Sequence, residues 1–127
     1  MNAGDSLGTR QWPVEVRLKA AEKALEIDFD DGRTFRFPAE LLRVESPSAE
    51  VKGHGPGQGV TVAGKRFVAI TTVEPVGHYA LSLRFDDGHA TGIYSWTYLY
   101  ELGRDMDARW ADYLARLEAA GLKRDPF

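Results

Sequence analysis

Cysteine is missing from this 127-residue chain. Without a thiol there can be no disulfide, no cysteine nucleophile, no iron–sulfur cluster ligated by this chain and no zinc site that requires sulfur. Long apolar runs are missing too, since none approaches the roughly 20 residues that span a bilayer. Residues 1–11 have neither the basic start nor the apolar stretch of a secretory signal. We therefore expect a cytoplasmic protein that does not associate with membranes.

Positive charge is not in excess either. The chain has 16 Lys and Arg against 19 Asp and Glu, a formal net charge of −3, which argues against a nucleic-acid partner. Catalytic signatures are absent: there is no Gly-x-Ser-x-Gly elbow and no His-Glu-x-x-His. Residues 59–66 resemble a phosphate-binding loop, but Arg66 stands where that loop needs Ser or Thr to hold magnesium. We predict no catalytic residues, no bound organic cofactor and no enzymatic activity.

The residues that are present fit one globular domain. Hydrophobic residues make up 43% and charged residues 28% of the chain, which is ordinary for a globular protein. Residues 1–11 are small and polar, so we predict a disordered N-terminus. We assign 12–121 to a single domain, in which 12–18 is an edge strand, and 122–127 to a flexible tail.

A β-hairpin is predicted over 25–37, where apolar and polar residues alternate on both sides of a turn. A two-residue loop would turn Phe35 and Phe37 away from the other apolar residues. A three-residue loop, Asp30–Gly32, instead pairs Ile27 with Phe35 and gathers the apolar side chains on one face. We predict the three-residue loop.

The pattern returns at 81–94 with the same Asp-Asp-Gly turn at 86–88. The equivalent register pairs Phe85 with His89 and Leu81 with Ile93, and it leaves Tyr94 pointing outward. The repeat reflects either duplication or common hairpin chemistry, and the sequence does not separate the two.

Helices are predicted after each hairpin and near the end of the chain. Pro38 opens the first, over 38–43, and Ser95 caps the second, which Gly103 ends. An amphipathic C-terminal helix over 105–120 places Trp110, Tyr113, Leu114 and Leu117 on one face. Further strands are predicted at 60–62, 69–73 and 79–85, and a glycine-rich loop at 46–59. The predicted fold is α+β: an antiparallel sheet of two hairpin-plus-helix units, with the C-terminal helix packed against it.

Candidate binding residues cluster in the loop and in the second turn. His54 lies among glycines, which suits close approach to an anion or a partner but also a plain surface loop. His89 lies beside Asp87, either as a structural histidine or as a ligand. We also select Tyr94 and Trp96, because amphipathic aromatic residues are common contact residues.

The loop and the second turn also carry a resemblance. Pro47–Val51 followed by Gly53–Gly55, and then Phe85–Trp96 with Leu99, resemble the gamma-butyrobetaine hydroxylase-like N-terminal domain family over roughly 12–103. In that family the domain occurs alone in small bacterial proteins. It is also fused to Fe(II)/2-oxoglutarate oxygenases and to P-loop iron–sulfur carrier proteins.

The resemblance also bears on metal binding. The oxygenase-fused form holds a structural zinc with three cysteines and a histidine, and these positions fall near Ser46, Ser48 and Val51 and on His89. Only His89 matches, so the resemblance implies that this zinc site is absent. It implies no hydroxylase activity either, because the chain contains no oxygenase catalytic domain.

Two functions remain as hypotheses. The first is a non-catalytic binding or adaptor domain for iron-dependent or iron–sulfur proteins, with a protein partner contacting His54, Asp87, His89, Tyr94 and Trp96. The alternative is a protein that binds iron or zinc through His54, His89 and nearby carboxylates, since imidazole and carboxylate suit either metal.

Overall fold

The structure, a computed structural model, describes residues 11–48, 51, 59–90 and 92–127. Among these residues, two three-stranded antiparallel sheets have the strand orders β1-β2-β3 and β4-β5-β6. The first sheet comprises β1 (Pro13–Lys19), β2 (Ala24–Phe29) and β3 (Thr34–Pro38), with a 3-10 turn at Ala20–Glu22. The second comprises β4 (Ile70–Val76), β5 (Ala80–Phe85) and β6 (Ile93–Ser95). The helices are α1 (Ala39–Val44), α2 (Trp96–Arg104) and α3 (Met106–Ala119). The α+β prediction is therefore confirmed.

The first hairpin has the predicted register. Ile27 pairs with Phe35 and Leu25 with Phe37, and the Phe29 N–H donates to the Arg33 carbonyl at 2.8 Å across the turn. Gly32 has φ +88°, in the left-handed region that favours glycine at this position of a three-residue loop. The alternation of apolar residues was sufficient to choose between the two loop lengths.

The second hairpin starts in the predicted register and then slips by one residue. The Phe85 N–H donates to the His89 carbonyl at 3.0 Å as predicted, but Leu81 pairs with Tyr94, and Ile93 pairs with Ser82. The prediction that Tyr94 points outward is wrong. Because a one-residue shift exchanges the faces of a strand, Tyr94 is fully buried and Ile93 is 49% exposed.

The repeat extends beyond the hairpins to a strand on the outer edge of each sheet. Asp30 exchanges hydrogen bonds with the Trp12 backbone, and Asp86 does the same with the Ala69 backbone. Each of the two units therefore has its own edge strand, hairpin, turn closed by glycine and following helix. This is more than the minimum that hairpin chemistry requires.

Helices form at all three predicted places, and the predicted end of the second helix is corrected. Ser95 caps α2, accepting a hydrogen bond from the Tyr98 N–H at 3.0 Å. Gly103 does not end α2, which continues to Arg104. A Cβ at Gly103 would lie 2.4 Å from the Phe35 ring, so glycine is required there because β3 packs closely against the helix.

One large core joins the two sheets, α1 and α2, and α3 adds a smaller cluster. The large core contains Leu25, Phe37, Leu83 and Leu99, each 0% exposed. The small cluster contains Val44, Tyr113 and Leu117. Leu114, predicted on the apolar face of α3, is 39% exposed.

Three further predictions concern the segments between and beyond these elements. Residues 60–62, predicted as a strand, are not in a strand. Residues 122–127, predicted as a flexible tail, make specific contacts: the Gly64 and Arg66 N–H groups donate to the carbonyls of Lys123 and Arg124. Residues 1–10 of the predicted disordered N-terminus lie outside the described residues. Within the described part of the chain, no helix is long and apolar enough to cross a membrane.

Candidate functional site

Two tyrosines fix the segment that follows α1. The Tyr94 hydroxyl donates to the Leu42 carbonyl at 2.6 Å, and the Tyr98 hydroxyl donates to the Glu45 carbonyl. The last carbonyls of a helix have no partner within the helix, so tyrosines from β6 and α2 supply the missing donors here. Burial raises the pKa of both phenols, that of Tyr98 to about 12, and both remain protonated donors at neutral pH. This places Ser46 and Ser48 against the second hairpin.

His89 meets the two serines in a buried cluster. The Ser46 hydroxyl lies 3.0 Å from His89 Nε2 and 3.2 Å from the Ser48 hydroxyl, and Ser48 Oγ lies 3.4 Å from Nε2. Ser46 is 0%, His89 6% and Ser48 9% exposed. Buried polar groups of this kind need hydrogen-bond partners, and these residues supply them to one another. We call Ser46, Ser48 and His89 the serine–histidine cluster.

The positions that the resemblance connects with zinc coincide with this cluster. Ser46 and Ser48 stand where the resemblance places two cysteines, and the structure brings both to His89. Val51, at the third position, is 5% exposed. The hydroxyl groups are poor zinc ligands, and among the described residues no group of three or more His, Asp or Glu could hold a metal ion.

Gly92 allows the chain to pack closely against the cluster. A Cβ at Gly92 would lie 2.7 Å from Ser46 Oγ and 2.9 Å from Cε1 of Tyr94. A side chain cannot occupy that space, so the strand approaches Ser46 only because residue 92 is glycine. A glycine inside a strand pattern was the one signal in the sequence for this close approach.

Asp87 anchors the exposed side of the turn. Its Oδ2 accepts from Arg43 Nε and Lys65 Nζ, each at 2.7 Å, and its Oδ1 accepts from the His89 N–H at 3.0 Å. Burial alone would raise the Asp87 pKa, but these donors outweigh it and lower the pKa to about 2. Arg43 and Lys65, which the sequence analysis did not select, are far from Asp87 in the chain, so no local pattern reveals them.

In the first turn, the equivalent carboxylate has a different set of hydrogen-bond partners. Asp31 accepts from the Arg33 N–H at 3.0 Å, as Asp87 does from His89, but its Oδ2 accepts from the Tyr100 hydroxyl at 2.5 Å. Arg33 is exposed, whereas His89, at the same place in the second turn, is buried. The buried histidine of the serine–histidine cluster therefore has no equivalent in the first turn, where the exposed Arg33 stands in its place.

The remaining selected residues divide into two groups. His54 lies outside the described residues. Trp96 is 7% exposed and its indole N–H donates to the His78 carbonyl at 3.0 Å. Trp96 and Tyr94 therefore lie in the core, and neither side chain presents a surface to a partner in this structure. His78 itself is exposed.

Solved structures of similar proteins share this fold. Two solution structures determined by NMR have TM-scores of 0.80. One is 49% identical, with 92% of each chain covered, and the other is 46% identical, covering 100% of this chain and 92% of the relative. A crystal structure of a DUF971-family protein of unknown function from Acidithiobacillus ferrooxidans is 43% identical, with a TM-score of 0.60, covering 72% of this chain and 91% of the relative.

The family follows from the sequence match. Residues 16–100 match the family described as "Gamma-butyrobetaine hydroxylase-like, N-terminal", and the chain belongs to that family. The match begins at Val16 within β1 and ends at Tyr100 within α2, and it includes the serine–histidine cluster. No curated protein matches the chain.

Proposed function

We propose that this chain is a non-catalytic binding module that docks onto an iron-dependent or iron–sulfur protein through the surface around its second turn. We call this the second-turn surface and define it by Lys65, Asp86, Asp87, Gly88 and Ile93. His54, which lies outside the described residues, is proposed to contribute to it.

One observation supports the proposal: the second turn packs on a buried polar cluster and is exposed to solvent at its tip. The serine–histidine cluster under the turn is buried, and its members are hydrogen-bonded to one another. At the tip of the turn, Asp86 and Gly88 are exposed. Preorganising a contact surface in this way reduces the entropy lost on binding.

The exposed part of this surface combines an apolar residue with charged groups. Ile93 is 49% exposed on the edge strand β6. The side chains of Lys65 and Asp87 form an ion pair and keep 22% and 16% of their areas exposed. An apolar centre with a polar rim is the usual composition of a protein interface.

The class of partner rests on the family. Because the resemblance implies that some members are fused to Fe(II)/2-oxoglutarate oxygenases and others to iron–sulfur carriers, this domain is proposed to bind a protein of one of these classes. The buried polar groups then act as supports for the surface, and no described group is assigned a chemical step.

Affinity capture with matched variants tests this function. Wild-type chain, Ile93→Ser, Lys65→Ala and His54→Ala would each be used as bait in cells that make the protein. Glu118→Lys, an exposed change on α3, is the control. We expect the wild type and the control to enrich the same iron-dependent or iron–sulfur protein, and the Ile93 and Lys65 variants to lose most of it. Equal capture by all baits, or partners without iron, would contradict the proposal.

A further inference from the structure

A cleft on another part of the molecule contains the positively charged side chain of Arg124. The cleft has a volume of about 300 Å³ and lies between the first turn of α1, the first turns of α3 and the segment 122–127. Its apolar walls include Leu41, Met106 and Trp110, and its charged groups are Glu40, Asp107 and Arg124. The second-turn surface shares no residue with it.

Arg124 is held in this cleft by two different interactions. Its Nε and Nη2 donate to the two carboxylate oxygens of Glu40 at 2.9 and 2.7 Å, and its guanidinium carbon lies 5.0 Å from the centre of the Trp110 ring. The Glu40 side chain is only 7% exposed. A bidentate carboxylate and an indole face form a receptor that matches the planar guanidinium better than the ammonium group of lysine.

The charge of the cleft favours a cation. Glu40 and Asp107 contribute two negative charges against the single positive charge of Arg124, so the lining has a net charge of −1 with Arg124 in place and −2 without it. Glu40 would be a nearly buried, unpaired carboxylate if Arg124 moved away, and burying a charge without a partner is costly. Another cation is therefore the natural replacement.

The segment that carries Arg124 is attached to residues 64–66 by backbone hydrogen bonds, and the chain bends at Arg124 and Asp125. The Gly64 N–H donates to the Lys123 carbonyl at 3.0 Å and the Arg66 N–H donates to the Arg124 carbonyl at 3.1 Å. An ion pair joins Arg66 to Asp125. These backbone bonds do not depend on the side chains of Lys123 and Arg124, so another peptide that bends in the same way at an arginine could form them.

We propose that the cleft between Glu40 and Trp110 is a recognition site for an arginine on a peptide segment of another protein, and that residues 122–127 occupy this site intramolecularly. The occupant is inferred from the chain's own ligand: guanidinium is the group that the carboxylate and the indole already hold. The intramolecular segment would weaken binding of an external peptide until it is displaced.

Calorimetric titration of the full chain with a synthetic peptide tests the site. The probe is the acetylated, amidated peptide of residues 122–127, LKRDPF, beside the same peptide with alanine in place of its arginine. We expect the Arg124→Ala chain to bind the arginine peptide at least 10-fold more tightly than the wild type does. The alanine peptide should bind the variant at least 10-fold more weakly, and so should the arginine peptide when Glu40→Gln is added.

Arg124→Gln, which retains part of the side-chain stem, is the second variant in case Arg124→Ala unfolds, and circular dichroism establishes that each chain is folded. Failure of the folded Arg124 variants to bind the arginine peptide would overturn the proposal. So would equal binding of the alanine peptide, or a wild type that binds as tightly as the variants. The capture experiment on the second-turn surface is independent of this result, because neither Ile93 nor Lys65 lines the cleft.

Discussion

The Ser46 hydroxyl lies 3.0 Å from His89 Nε2, and this buried pair joins the segment after α1 to the turn of the second hairpin. The contact connects residues 43 positions apart in the sequence. It also coincides with the two positions where the resemblance places a cysteine and a histidine around zinc. We interpret the pair as a hydrogen-bonded support for the second-turn surface.

Replacing the imidazole should therefore destabilise the fold. His89→Ala leaves the Ser46 hydroxyl, which is 0% exposed, without the imidazole as a hydrogen-bond partner and removes the contact of His89 with the Phe85 ring. We expect a loss of roughly 2–4 kcal/mol in the free energy of unfolding, measured by urea titration. His78→Ala, at an exposed turn position, is the control and should change it by less than about 0.5 kcal/mol. Similar values for both variants would show that His89 is not a support.

The close approach of Gly92 to Ser46 can be tested by a double-mutant cycle. Gly92→Ala would place a Cβ 2.7 Å from Ser46 Oγ, and we expect it to cost roughly 1–3 kcal/mol. Ser46→Ala removes the clashing oxygen but not the contact with Tyr94. The double variant should therefore be more stable than the two single costs predict, by about 1 kcal/mol. Strict additivity would mean that the two positions do not touch.

The contribution of the Tyr94 hydroxyl to the free energy of unfolding can be measured in the same way. Tyr94→Phe removes the donor of the 2.6 Å bond to the Leu42 carbonyl and leaves that carbonyl buried. We expect a loss of roughly 1–2 kcal/mol in the free energy of unfolding. Tyr79→Phe, at a side chain that is 55% exposed, should be nearly neutral. A neutral Tyr94→Phe would contradict the assigned role of this hydroxyl.

The ion pairs of Asp87 predict how stability depends on pH. The pKa of Asp87 is lowered in the folded chain from 3.8 to about 2, so the unfolded chain takes up the proton first as the pH falls. The contribution of Asp87 is then complete above about pH 4 and is lost between about pH 4 and pH 2. After allowance for solvent screening at this partly exposed group, we expect Asp87→Asn to cost about 1 kcal/mol at pH 7.

Unfolding titrations of the wild type and Asp87→Asn at pH 7, 5, 3 and 2 test this dependence. The difference between the two proteins should be constant from pH 7 to pH 5 and should shrink toward zero at pH 2. Other carboxylates affect both proteins alike and cancel in the difference. A difference that grows as the pH falls would contradict the assigned pKa direction.

The sequence pattern predicted the first unit well because the residues that determine its register lie close together in the chain. The alternation of Leu25, Ile27, Phe35 and Phe37 requires one register to keep the apolar faces together, and the structure has that register. Ser95 was predicted as a helix cap from its position before a helical pattern, and its hydroxyl makes the capping bond.

The second unit differs from the prediction where contacts between residues distant in the sequence determine the structure. Its register slips by one residue before Ile93, which reverses the faces of Ile93 and Tyr94, and Gly92 beside the slip packs against Ser46 from a distant part of the chain. The contacts of Arg124 with Glu40 and Trp110 likewise join segments that no periodicity connects. His54, the selected residue of the glycine-rich loop, lies outside the described residues, so its part in the surface stays a prediction.

The measurement that tests the central claim most directly is metal content. We claim that hydrogen bonds among Ser46, Ser48 and His89 take the place of a metal centre. Wild-type protein purified without a histidine tag and dialysed against zinc or iron should contain well under one metal ion per chain. The triple variant Ser46→Cys, Ser48→Cys, Val51→Cys should instead retain about one zinc per chain, because three thiolates and an imidazole form a complete tetrahedral set. A wild type that retains one metal ion per chain, with the metal lost in His89→Ala, would contradict the claim.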